Sequence, residues 1–265
     1  MKILFIGDIV GKIGRKTVTK ILPKLKKEHS IDFVIANAEN SAHGTGITET
    51  VIKELTSAGI NYFTLGDHAF SRLKQVKECF EKNTNLLRPA NFPPDLPGRG
   101  YRLATINSHS VLLINLIGRV FMDKDYDCPF RKIDEILSNL AKKNISAIIV
   151  DIHGEATSEK VALRHYLDGK ISALVGTHTH VMTNDSQVTD KGTAYITDAG
   201  MVGAADSIIG VDKENILKSF LTQVKHPHVI PEKGKAIFNA VLISLNTKTK
   251  KANKIKPIIK FVDIN

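Results

Sequence analysis

The run Gly176-Thr177-His178-Thr179-His180-Val181 sets two imidazoles two residues apart, directly after the apolar stretch Ile171 to Val175. That stretch reads as a buried strand, and the chain leaves it through a glycine. In extended backbone, residues i and i+2 point the same way. His178 and His180 are therefore expected to aim their rings at one side of a strand end, which is where open α/β sheets bind ligands. Four more apolar runs end in residues of the same chemical kind: Asp8, Glu39 with Asn40, Asp67 with His68, and His153. Each stands beside a glycine or another small residue, where backbone can turn sharply and approach a ligand.

Oxygen donors with imidazoles, and no usable thiolate pair, fit Mn, Fe, Zn or Ni better than Mg or Ca. Asp8, Glu39, Asn40, Asp67, His153, His178 and His180 make seven candidate metal ligands. A single catalytic ion usually takes three or four and keeps a position open. Seven point to two ions roughly 3.5–4 Å apart that share a carboxylate. Taken singly, each residue has a plainer reading: Asp8 as a turn residue, Glu39 and Asn40 as caps, Asp67 as an N-cap, His153 as a loop histidine. Convergence at five strand ends outweighs those separate readings.

The elements that must position these residues follow from periodicity. Strands are expected at 2–6, 32–36, 62–65, 146–150 and 171–175, and helices at about 15–28, 48–58, 71–82, 130–143 and 213–224. Pro23 falls inside the first helix, and Gly59 stops the second. Thr157 or Ser158 is expected to cap a further helix that runs to about 167. Residues 83–100 are rich in Pro and Asn and read as a surface excursion with at most one short strand. Hairpins are expected around Asn107-Ser108 and around Asp190-Lys191-Gly192. Gly200 to Gly210 reads as a glycine-rich loop, and 236–245 and 254–263 as closing strands. Strand–helix alternation that gives way to hairpins predicts one α/β domain over residues 1–265, with a mixed sheet or two packed sheets.

Composition sets the outer bounds. The 42% hydrophobic content is ordinary for a chain of 265 residues that buries a sizeable core. No apolar run approaches the roughly 18 residues that span a bilayer, and Met1 to Asp8 reads as a first strand rather than a signal peptide. Cys79 and Cys128 are far apart and form no C-x-x-C, which points to a reducing cytoplasm without a disulfide framework. The formal charge of +10 comes mostly from lysine. A basic surface attracts nucleotides, RNA or other phosphates. Lysines such as Lys20, Lys24, Lys26 and Lys27 equally fit a solvated helix face, and no aromatic-interleaved basic motif is present.

The order G-D, N-A-E-N, G-D-H, H-G-E and G-T-H-T-H resembles the calcineurin-like metallophosphoesterases. More narrowly it resembles the YmdB-like family of bacterial phosphodiesterases, which act on 2′,3′-cyclic nucleotides. The likeness covers essentially the whole chain, including Gly200-Met201 and the closing strands. It implies a sandwich of two mixed β-sheets flanked by helices. It also implies that Asp8, Asn40 and His180 bind one ion, that Asp67, His153 and His178 bind the other, and that Glu39 bridges them. Iron or manganese is the implied metal, with zinc or nickel as alternatives. Hydroxide would attack phosphorus in line, and His68 would give the leaving 2′ oxygen its proton, which leaves a 3′-nucleotide. Two positions depart from the wider pattern. Val10 stands two after Asp8, where the superfamily often has histidine, and this favours the narrower family. Asp67 stands where the family usually has asparagine, which adds a negative charge to the site.

Two rival readings use the same residues. A phosphomonoesterase, protein phosphatase or nuclease could be built on the same metal site, since one fold serves many chemistries. A basic RNA-binding regulator with a vestigial site is the other. The homo-oligomeric state stays open at this stage, and no membrane partner is expected.

Overall fold

Ile3 and Phe5 leave the first strand on one face, Leu4 and Ile6 on the other, and all four are buried. A strand buried on both faces needs a layer on each side, and this requirement builds the architecture. The computed structural model describes all of residues 1–265. Its first half contains β1 (Lys2–Ile6), β2 (Asp8–Ile9), α1 (Gly11–His29), β3 (Phe33–Asn37), α2 (Glu49–Ala58) and β4 (Tyr62–Thr64). After a 3₁₀ turn (Asp67–Phe70) come α3 (Leu73–Lys82), β5 (Leu86–Leu87), β6 (Tyr101–Ile106), β7 (His109–Ile117) and α4 (Pro129–Asn139). The second half has β8 (Ala147–His153), α5 (Thr157–Leu167), β9 (Ala173–Thr177), β10 (Gln187–Val188) and β11 (Ala194–Ile196). It ends with β12 (Met201–Ala204), α6 (Lys213–Thr222), β13 (Gly234–Asn246) and β14 (Lys251–Ile264).

Two mixed sheets result. The first runs β2-β12-β13-β1-β3-β4-β5, with β1, β3, β4 and β5 parallel. Strand β13 pairs with β14 along its length, and its other edge takes β1 and β12 in succession. The second sheet runs β10-β11-β9-β8-β7-β6, with a parallel centre and an antiparallel strand at each edge. Ile3, Phe5, Ile35 and Ile243 of the first sheet face Val111, Leu113, Ile149 and Val175 of the second in one core. The outer face of the first sheet packs on α1 and α2 through Leu4, Ile6, Val34, Val18, Leu22 and Leu55. The outer face of the second packs on α4 and α5 through Ile114, Ile152, Ile133, Ile136 and Leu163. The order of layers is thus helix, sheet, sheet, helix. No helix is long and apolar enough to cross a membrane.

Most elements fall where periodicity puts them, and the differences have causes. Helix α1 starts at Gly11, four residues earlier than expected, and runs through Pro23. A Cβ at Gly14 would lie 2.4 Å from the Val202 carbonyl oxygen, so this glycine lets helix and sheet touch. Neither Thr157 nor Ser158 caps α5. The N-cap is Ala156, which has no side-chain cap bond, so the helix begins one residue earlier. The expected Gly200 to Gly210 loop contains β12, because Met201–Ala204 finds backbone partners on both β2 and β13. Strands β8 and β9 run on to His153 and Thr177, past their last aliphatic residues. The hairpin around Asn107-Ser108 is a primed turn, with φ of 45° and 66°.

Phe5 is 1% exposed between the sheets. Phe5→Ala should cost about 3–5 kcal/mol, read as a lower urea midpoint with unchanged slope in metal-stripped protein.

Candidate metal centre

Both sheets contribute to one edge. Asp8 opens β2, just past the end of β1. Glu39 and Asn40 follow β3, and Asp67 and His68 open the 3₁₀ turn after β4. His153 is the last residue of β8, and His178 follows β9. The C-terminal ends of the parallel strands lie together, so residues far apart in the chain meet across the layer boundary. Gly66 makes the meeting possible, because a Cβ there would stand 2.1 Å from the His153 ring.

His153 Nε2 is the hub. It lies 3.1 Å from Glu39 Oε1, 3.0 Å from Asp67 Oδ1 and 3.0 Å from His178 Nδ1. One donor atom from each of Glu39, Asp67, His153 and His178 falls within 4.8 Å of all the others. Asp8, Asn40 and His180 adjoin this group. Asn40 Nδ2 is 3.2 Å from His180 Nε2, and Asp8 Oδ1 is 3.9 Å from the same nitrogen. His68 Nδ1 lies 2.8 Å from Asn40 Oδ1. All eight residues singled out in the sequence thus come to one place.

The outer partners of the rings fix which nitrogen faces inward. Thr177 Oγ1 donates to Asp151 Oδ1 at 2.8 Å, so it accepts from His153 Nδ1 at 2.9 Å, and Nε2 points into the cluster. The Ile209 carbonyl accepts from His180 Nδ1 at 2.7 Å, which leaves Nε2 toward Asn40 and Asp8. Glu155 Oε2 lies 3.3 Å from His178 Nε2, so Nδ1 faces Asp67. Three imidazoles therefore turn their inner nitrogens to one region, as metal-binding histidines do.

Charge balance points the same way. Asp8, Glu39 and His153 are at most 1% exposed. Burial pushes the Asp8 carboxyl up, only partly offset by His180 and His153. For Glu39 burial acts upward too, but the charge and hydrogen bond of His153 win and hold it low. Asp67 is held far below the carboxylate range against its burial by hydrogen bonds from His153 and His178. Burial disfavours charge on His153, yet Glu39 and Asp67 push its pKa well above the usual histidine value. A protonated imidazole thus stands where a metal cation would serve. Asp8 Oδ1 is buried without any hydrogen-bond partner, as a free ligand atom would be. The donor set fits a divalent metal, whose binding would displace the proton from His153.

His178 and His180 depart from the geometry expected of them. Neither residue is extended: φ is 105° at His178 and 65° at His180. Extended backbone would put both rings on one spot. The left-handed turns instead send His178 to Asp67 and His180 to Asn40. A buried ion pair shapes this loop. Lys160 Nζ is 3.0 Å from Asp198 Oδ2 and donates to the Thr177 carbonyl at 2.8 Å. Asp198 also accepts from the backbone N–H of Thr179 and Gly200. Lys160, Asp198, Asp151, Thr177 and Glu155 support the candidate ligands or their loops through these contacts, and sequence pattern does not single them out. Alternation along Asp151-Ile152-His153 and the glutamate of H-G-E were the signals that could have found two of them. Lys160 and Asp198 carry no such signal.

A cleft of about 760 Å³ opens above the centre. Glu39, Asn40, His68, His178 and His180 line its floor. Asp8 and His153 lie beneath it, fully buried.

The family described as "YmdB-like protein" matches residues 4–258. A Bacillus subtilis (strain 168) 2′,3′-cyclic-nucleotide 2′-phosphodiesterase is 45% identical over 98% of this chain and 97% of its own. A novel phosphatase from Mycoplasma pneumoniae superposes with a TM-score of 0.92 at 33% identity, covering 99% of this chain and 94% of that one. A hypothetical protein from Thermus thermophilus superposes with a TM-score of 0.91 at 39% identity, covering 98% and 99% of the two chains.

Metal should stabilise the folded state alone. Manganese at ~100 times its dissociation constant should raise the unfolding free energy by about 2.7 kcal/mol, and a chelator should reverse this. Glu39→Gln should abolish most of the shift while circular dichroism stays that of the parent.

Proposed function

We propose that this chain, which belongs to the YmdB-like family, is a metal-dependent phosphodiesterase that converts 2′,3′-cyclic nucleotides to 3′-nucleotides. The observation that carries this reading is the convergence of Glu39, Asp67, His153 and His178 at the floor of an open cleft. The 45% identity to the Bacillus subtilis enzyme supports the substrate class. The family fold, two mixed sheets between helices, supplies the scaffold.

We assign Glu39, Asp67, His153 and His178 to one ion, and Asp8, Asn40 and His180 to a second, with Glu39 shared. In support, Glu39 Oε1 lies between the two groups, 3.1 Å from His153 Nε2 and 3.5 Å from Asn40 Nδ2. Carboxylate and imidazole donors suit iron or manganese, and zinc or nickel after them. When bound, the ions neutralise phosphate oxygens and lower the pKa of water to supply a nucleophile at neutral pH.

The remaining work falls to side chains at the rim. His68 is partly exposed and lines the cleft. Its Nδ1 is 2.8 Å from Asn40 Oδ1, a contact that holds the ring at the rim. Nε2 is then the nitrogen that can give a proton to the departing 2′ oxygen and take it back in the next cycle. The Glu39 carboxylate holds His68 from the other side by accepting its backbone N–H at 3.0 Å. One carboxylate thus contacts both the candidate ligand set and the acid.

A panel of cyclic nucleotides, aryl phosphates, phosphopeptides and short RNA tests the assignment. Turnover is expected to be fastest on 2′,3′-cyclic nucleotides; preference for a monoester would overturn it. His68→Ala should keep its metal and lose roughly 10²–10⁴-fold in rate. The loss should shrink on a nitrophenyl ester, whose leaving group needs no proton. Equal losses on both substrates, or loss of metal, would show that His68 is not the acid. Asp67→Asn should bind metal less tightly but keep a working site. With metal in excess its rate should match or exceed the parent's, because removing one negative charge leaves the ions stronger Lewis acids. A metal-saturated but inactive variant would give Asp67 a different role.

A further inference from the structure

Strands β12 and β13 are antiparallel neighbours that pair Ala204 with Ala236, yet residues 205–233 lie between them. Neighbours of this kind are usually joined by about 2–5 residues, and a much longer link is commonly functional. The link is pinned at several points. The Asp212 N–H donates to the Val229 carbonyl at 2.8 Å, and the Ile230 side chain lies against Gly11 and Gly44. The Ile209 carbonyl holds His180, and Ile209 itself adopts φ of 48°, an unfavourable conformation for a β-branched residue.

Helix α6, inside this link, buries none of its residues. Phe220 is 77% exposed and Ile209 52%. Together with Ile208, Val211, Ile216 and Ile230 they line the cleft opposite the charged floor. An exposed apolar surface of this kind marks a binding site. On the phosphodiesterase reading the floor takes the phosphate, which needs only a small part of a cleft of about 760 Å³. The rest of the space has one apolar wall with one aromatic ring, which suits the flat face of a nucleobase.

We propose that residues 205–233 form the wall that recognises the nucleobase, with Phe220 stacking on it. This rests on the phosphodiesterase reading above and adds the part of the substrate remote from the phosphorus. Stacking of this kind is tolerant of base identity, so the wall selects nucleotides over other cyclic phosphates without strong preference among bases.

The test compares metal-loaded parent and Phe220→Ala on adenosine 2′,3′-cyclic phosphate and on glycerol 1,2-cyclic phosphate, which has the reactive group but no base. The variant should show a KM raised roughly ten-fold or more on the adenosine substrate, with kcat nearly unchanged. On the glycerol substrate it should match the parent, and Phe220→Trp should restore the adenosine KM. Equal losses on both substrates, or no loss on adenosine, would overturn the proposal. So would a change of molecular mass in solution on substitution, which would make Phe220 a subunit contact. A parent that turns over neither substrate defeats the phosphodiesterase reading and this one with it. A parent that turns over both, with a silent Phe220→Ala, defeats the base wall alone.

Discussion

Three carboxylates, Asp8, Glu39 and Asp67, crowd one largely buried pocket, and they cannot all stay ionised without positive charge among them. Everything around them answers that need. The His153 ring sits between Glu39 and Asp67 and takes a proton that burial would otherwise deny it. His178 and His180 flank the acids, each turned inward by an acceptor on its far nitrogen. A divalent cation meets the same need with more charge in less space. The cluster thus has the charge balance of a cation site, with the His153 ring supplying positive charge between the acids.

Such crowding has to be imposed by the fold, because nothing local would choose it. The imposition comes from the two-sheet sandwich. Strands β1, β3 and β4 bring Asp8, Glu39 and Asp67 from one layer, and β8 and β9 bring His153 and His178 from the other. The shared core of Ile3, Phe5, Ile149 and Val175 fixes the spacing between layers. Hydrophobic burial thus holds charges together that would separate in water. A second neutralised pair, Lys160 with Asp198, locks the loop after β9 from below. Asp151, also buried and pushed by burial up to about 7, accepts from Thr177, which in turn orients His153. Burial at this end of the sandwich is therefore polar, and it leaves Asp8 Oδ1 and Asp151 Oδ2 without a hydrogen-bond partner.

The cleft shows the opposite arrangement. Its floor is charged and preorganised, while its far wall is apolar and comes from one inserted segment, residues 205–233. The floor draws on strands of both sheets, whereas α6 buries none of its residues. Floor and wall meet at one hydrogen bond, from His180 to the Ile209 carbonyl. That bond ties the candidate ligand set to the surface that faces the rest of a bound molecule.

The sequence by itself determined which residues meet at this edge. Asp8, Glu39, Asn40, Asp67, His68, His153, His178 and His180 were legible because each follows an apolar run, and a parallel sheet must bring such ends to one edge. Most strands and helices were legible for the same reason, since a core imposes period 2 or 3.6 on its neighbours. The tertiary structure alone decided how the residues divide. His178 and His180 looked like a matched pair on extended backbone, but left-handed φ values send them to different partners, and φ is not written in a histidine. Asp198, Lys160 and Thr177 were illegible because their meaning lies in contacts with distant residues. Strand β12 was hidden by Gly203 within it and Gly200 before it, because its strand character depends on backbone partners in β2 and β13 rather than on its own side chains. Within segment 205–233, sequence pattern shows only the end of a glycine-rich loop and a helix. That it stands over the centre follows from the pairing of β12 with β13, which no local pattern encodes.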